Sequence, residues 1–168
     1  NCINNDLANN FGNLCQRVFS FIEKNCSGKL PKPDKFEDVD KNLISNLTST
    51  VDKLIIDINK QDLNSYVKKV VEFSFNANKY FNDLEPWALK KTNITRMNTI
   101  LFTIVTQIKN ISILLSPIIP ISSDKILDIM NLNSEDRLLK SINNKNIFDH
   151  NQAFRKTSIL FKKIENDN

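Results

Sequence analysis

The sequence predicts an all-α fold, an antiparallel bundle of four to five main helices. Its 168 residues include only two glycines and five prolines, too few for the special turns that a β-sandwich of this size needs. Apolar residues recur at alternating helical spacings along four long segments. The links between those segments are short, which favours helices packed side by side.

The first helix has Asn4, Asn5 or Asp6 as its cap and buries Leu7, Phe11, Leu14, Val18 and Phe21. It stops near Ser27-Gly28, where glycine supplies a C-cap, and Pro31 and Pro33 make an extended connector. The second runs from about Val39 to Asn59 on a seam of Ile44, Leu47, Val51, Leu54 and Ile58. Its asparagines and threonines are weak helix formers, so periodicity carries the assignment.

The third helix, about Leu63 to Asn82, buries Val67, Val70, Val71, Ala77 and Phe81. Glu85-Pro86 breaks it, because proline lacks an amide hydrogen and restricts the residue before it. Pro86 then opens a short turn through Lys91. A fourth helix, about Thr92 to Leu115, has the cleanest seam: Ile94, Met97, Leu101, Ile104, Ile108, Ile111 and Leu115. Beyond Pro117 and Pro120, Ser122 or Ser123 caps a fifth helix to about Met130, and Ser134 to Ile142 adds a turn or two. The tail from Asn143 carries Ile159, Leu160, Phe161 and Ile164, apolar enough to pack back on the bundle in helical or extended form.

Composition sets the remaining bounds. The length fits one domain, and 40% hydrophobic with 25% charged residues is a balance that excludes disorder and collagen. Nineteen lysines against four arginines, with abundant Asn and Ile, record an A/T-rich genome. The net charge of +4 is therefore a weak pointer to nucleic acid. Cys2, Cys15 and Cys26 show no C-x-x-C spacing, which argues against a disulfide framework or zinc cluster and for a reducing cytoplasm. The sequence starts at Asn1 with no leader pattern and reads as a piece of a longer chain. Ile100 to Ile121 approaches membrane-spanning length, but Gln107, Lys109 and Asn110 interrupt it and the prolines end it early, so it reads as a core helix.

Catalytic chemistry is missing. His150 is the sole histidine, no Glu-x-x-His pair suits a di-iron site, and neither a P-loop nor a G-x-G-x-x-G occurs. Attention passes to binding surfaces. Asn10, Asn13, Arg17 and Lys24 lie within about 60° of one another on the helical wheel, flanking the apolar seam. They form either an ordinary solvated face or a ligand-reading one, since an amide and a guanidinium one turn apart suit base edges. Trp87, the only tryptophan, is either a plug between helices or a stacking platform fixed by Pro86, with Lys90 and Lys91 placed to meet phosphate.

Four segments, taken in order, resemble the anticodon-binding helical domain of the methionyl-tRNA synthetases, class I aminoacyl-tRNA synthetases. They are Asn5-Asp6-Leu7-Ala8-Asn9-Asn10-Phe11-Gly12-Asn13-Leu14-Cys15-Gln16-Arg17, then Asn78-Lys79-Tyr80 with Pro86-Trp87-Ala88-Leu89-Lys90, then Leu114-Leu115-Ser116-Pro117-Ile118-Ile119-Pro120. The fourth is Ile159-Leu160-Phe161-Lys162-Lys163-Ile164-Glu165, where Lys162 stands in a position at which proline is common in the family. The resemblance implies a bundle over residues 1–142 and a tail, 143–168, that packs back on it, extended rather than helical. It also implies that Asn13, Arg17 and Trp87 read the anticodon. Beside them, Asn10 and Lys24 by their place on the wheel, and Lys90 and Lys91 by following the tryptophan, are candidate RNA backbone contacts.

The implied partners are the anticodon stem-loop of methionine tRNA, carrying CAU, and a catalytic nucleotide-binding domain of the same polypeptide preceding Asn1; no membrane is involved. That domain would use ATP, with magnesium, to join methionine to its tRNA in the cytoplasm; this piece would hold no cofactor or metal and would not be catalytic alone. Two alternatives are the helical domain of another class I synthetase and a protein-binding helical scaffold. A scaffold would bury Trp87 or surround it with apolar residues, whereas an RNA reader would expose it beside Arg17.

Overall fold

The computed structural model describes residues 2–143, 148 and 153–155. Among these, six α-helices form one bundle: α1 (Cys2–Asn25), α2 (Asp38–Thr48), α3 (Val51–Asn59), α4 (Leu63–Leu84), α5 (Ile94–Leu115) and α6 (Pro120–Ile129). Single 3-10 turns follow α4 at Pro86–Leu89 and close the described bundle at Ser134–Arg137 and Leu139–Asn143. The core helix α5 packs against α1, α2, α4, α6 and the Pro86–Leu89 turn.

The predicted seams are the buried ones over most of their length. Leu7, Phe11, Leu14 and Val18 of α1, and Met97 through Leu115 of the α5 seam, lie in the core, whereas Ile94 at the first turn of α5 is exposed. Phe21 is only partly buried, its predicted place being filled by Ile22.

Three local expectations need correction. Helix α1 begins at Cys2, so Asn4, Asn5 and Asp6 lie inside it rather than capping it. Once the turn at Leu7 is packed, each residue added at the end gains a backbone bond at little cost. The predicted second helix is two, α2 and α3, because Thr50 turns its hydroxyl onto the Leu47 carbonyl at 2.9 Å and its amide onto the same oxygen at 3.0 Å. Such side-chain bonds compete with the helical ladder. Helix α6 starts at Pro120 with Ile119 before it, and Ser122 and Ser123 are buried inside it. Instead of capping, the Ser123 hydroxyl donates to the Ser112 carbonyl and ties α6 to α5.

Polar groups in the core helix are mostly satisfied from within: Thr103 and Ser112 donate to carbonyls one turn back at 2.8 and 2.7 Å. Tyr66 of α4 donates to the Leu114 carbonyl at 2.5 Å. Asp40 of α2 lies wholly buried against Arg96 of α5 and Tyr80 of α4, accepting from Arg96 Nη1 at 2.6 Å and Nη2 at 3.0 Å and from the Tyr80 hydroxyl.

The exceptions among the described residues are Gln107, whose Oε1 has no partner, and Asn110, whose side-chain amide has none. Lys109, also on α5, is 2% exposed, with its ammonium 6.0 Å from the Phe148 ring centre. Burial pushes its pKa down to about 8, against the opposing charge of Asp136. The unfolded value is about 10.4, so between the two the unfolded chain binds more protons and stability rises as the pH climbs from about 8 to about 10. Lys109→Met is expected to raise the melting temperature at pH 7 and to flatten that rise; thermal melts at several pH values provide the check.

The described part of the tail is extended and pairs with the bundle. Ala153 forms an antiparallel bridge with Lys29, the Phe154 amide donates to the Gly28 carbonyl at 2.7 Å, and the Arg155 amide donates to Ile129 at 2.9 Å. Phe154 sets its ring edge-on to Phe19 of α1, centroids 5.6 Å apart. Gly28, at φ 70, gives the left-handed turn that ends α1 and exposes this carbonyl. His150 and the apolar positions Ile159, Leu160, Phe161 and Ile164 lie outside the described residues.

Candidate nucleic-acid interface

The site forms where α1 crosses the end of α4. Glu85, at φ 45 and ψ 60, closes α4 in the left-handed region, because the following proline disfavours continued helix there. Pro86 is buried and starts the 3-10 turn, so Trp87 emerges on a short, fixed arm. Its indole is 41% exposed and packs edge-to-face on Phe81, centroids 5.4 Å apart at 68°.

Arg17 meets this pair from α1. Its guanidinium carbon stands 5.2 Å from the Phe81 ring centre and 5.9 Å from that of Trp87. Nη2 donates to the Asn82 Oδ1 at 2.9 Å. Asn13 is exposed one turn earlier, and Asn10 and Lys24 are exposed on the same helix. Lys90 and Lys91 are exposed just past the tryptophan turn. Burial pushes the Cys26 thiol up while the charge of Lys90 pulls it down, so Lys90 acts at the C-terminal end of α1.

The structure thus brings Arg17 and Trp87 together and leaves both accessible. Two members of the cluster escaped the sequence reading. Asn82 looked like a helix-end residue and Phe81 like core. The available signal was spacing, since both lie within six residues of Trp87 on the last turn of α4.

This surface can do two things chemically. An aromatic face half open to solvent accepts an unstacked base, and a guanidinium held by one edge keeps its remaining N–H donors for base edges or phosphate.

Residues 30–168 match the family model for the anticodon-binding domain of methionyl tRNA ligase. The match takes in Trp87 and begins after α1. A methionine–tRNA ligase of Brucella suis is 36% identical over 82% of this chain and 27% of its own length. One from Rickettsia felis is 31% identical over 98% of this chain, α1 included, and 33% of its own. The chain therefore spans between a quarter and a third of the curated relatives it matches. Solved structures of Mycobacterium tuberculosis methionyl-tRNA synthetase, free and with methionyl-adenylate, align at TM-scores of 0.85 and 0.86. Both are 28% identical and cover 93% and 95% of this chain and 32% of theirs. The likeness runs through sequence, family model and fold alike, and the chain belongs to the family of anticodon-binding domains of methionyl-tRNA ligases.

Proposed function

We propose that this domain selects methionine tRNA for a methionine–tRNA ligase by reading the CAU anticodon. Trp87 stacks on an anticodon base, and Asn13 and Arg17 hydrogen-bond to base edges. Asn10, Lys24, Lys90 and Lys91 meet the RNA backbone. The observation that carries this reading is the half-exposed Trp87 with the Arg17 guanidinium 5.9 Å from its ring centre. An RNA loop suits such a surface, because its bases are unstacked and readable on both edge and face while its paired stem is not.

The parent enzyme, in this reading, works in the cytoplasm and attaches methionine through an ATP-derived adenylate with magnesium. That chemistry belongs to a nucleotide-binding domain of the same polypeptide. The domain bound to the anticodon would then help to orient the acceptor end toward that active site. The bundle over residues 1–142 would be held by the tail 143–168 as a strap; the contacts of Phe148 and residues 153–155 support this.

Trp87 is its own probe. An anticodon stem-loop carrying CAU, titrated at low salt, is expected to quench its fluorescence to saturation, and a loop with an altered anticodon to do so far more weakly. Low salt is needed because phosphate contacts weaken steeply with ionic strength. Equal responses to the two loops, or none up to millimolar RNA, would count against anticodon reading by this surface.

A further inference from the structure

Phe81 is 2% exposed, yet its cover is not ordinary core packing. The Arg17 guanidinium lies over its ring at 5.2 Å and the Trp87 indole stands against it at 5.4 Å. One phenyl ring therefore touches both groups assigned to the anticodon, while its own backbone is fixed in the last turn of α4. Asn82, next along the helix, holds Nη2 of the same guanidinium at 2.9 Å. A surface arginine with one hydrogen bond samples many rotamers. Seated on a ring face and bound at one edge, it has its plane and its distance from the indole both set.

We propose that Phe81 is a positioning residue for anticodon recognition: its ring sets the spacing between guanidinium and indole before RNA arrives. The proposal rests on the reading of Arg17 and Trp87 given above. For Arg17 to leave the ring, the Phe81 face would have to meet water or a new partner. Arg17 therefore works in place, with its outward N–H donors, and does not swing out to find its base. A leucine or methionine at position 81 would keep the core apolar and remove the flat seat.

The test compares wild type, Phe81→Leu, Phe81→Met, Arg17→Lys and the double variant Phe81→Leu/Arg17→Lys in the full chain. Circular dichroism melts accompany binding of CAU and altered stem-loops. Both Phe81 variants are expected to melt cooperatively and to bind the CAU loop roughly fivefold more weakly. The double variant should lose less than the product of the single losses, because the ring and the guanidinium plane act as one unit. Trp87 emission in the absence of RNA should also shift in both Phe81 variants. Undiminished binding of the CAU loop by them, or losses that multiply independently, would overturn the proposal alone. Loss of cooperative melting in both would make Phe81 a purely structural residue and overturn it too. A wild-type chain without preference for CAU would overturn the underlying reading and the proposal with it.

Discussion

Asp40→Ala is expected to cost the domain roughly 3–5 kcal/mol of folding stability, the usual range for removing one partner from a buried ion pair. Asp40 is fully buried and receives both terminal nitrogens of Arg96, the Tyr80 hydroxyl and the Glu37 amide at 2.8 Å. Alanine would take the acceptor from the Tyr80 phenol and leave the Arg96 guanidinium with the Glu37 carboxylate, 3.3 Å away, as its ion-pair partner. It would also open the joint between α2, α4 and α5 one residue before Phe81. Denaturant unfolding checks this; a loss below about 1 kcal/mol would mean that water enters and heals the site.

The pH dependence has a fixed sign. Burial pushes the Asp40 carboxyl up, but the hydrogen bonds from Arg96, Tyr80 and the Glu37 amide outweigh it and hold the group below its ordinary value. Asp40 therefore stabilises the fold at neutral pH, and that contribution is lost as the pH falls below about 4. Asp40→Asn should remove this acid-sensitive part of the stability curve.

Trp87→Ala is expected to weaken binding of the CAU stem-loop by about 1–3 kcal/mol, the range for one base stacked on an aromatic. At about 1.4 kcal/mol per decade, that is roughly a 5- to 150-fold change. The folding cost should be smaller, about 1 kcal/mol for the lost edge-to-face pair with Phe81. Trp87→Phe should restore much of the binding, since a smaller ring still offers a face. Calorimetric titration is the appropriate readout, because the fluorophore is gone. If Trp87→Ala melts the domain instead, the residue is structural.

Helices α1, α4 and α5 were legible because each repeats a long apolar seam, and burial is the dominant local signal. The break between α2 and α3 was not, because Leu47, Val51 and Leu54 continue the seam across it and stay buried. A hydroxyl at Thr50, invisible to periodicity, ends the first helix. Arg17 and Trp87 stood out by rarity of type and by family resemblance. Phe81 and Asn82 did not, since an aromatic on a seam reads as core and an asparagine at a helix end reads as a terminator. Only the crossing of α1 over α4 shows what they touch. Asp40 and Arg96 were equally hidden: two charges 56 residues apart give no local pattern, and only tertiary structure pairs them.

The bridge between Lys29 and Ala153 has a consequence for the order in which the chain is made. A ribosome delivers residues from the N-terminus at about 5–20 per second, and contacts between distant residues form late because closing the loop between them is costly. Within this stretch α1 leaves the ribosome well before Phe154, so the Phe19 edge that Phe154 covers waits until the segment between them has emerged. During that interval this edge is open to chaperones and to misplaced neighbours. Truncations that stop short of Phe154 should thus yield nascent chains in which the Phe19 edge of α1 stays uncovered.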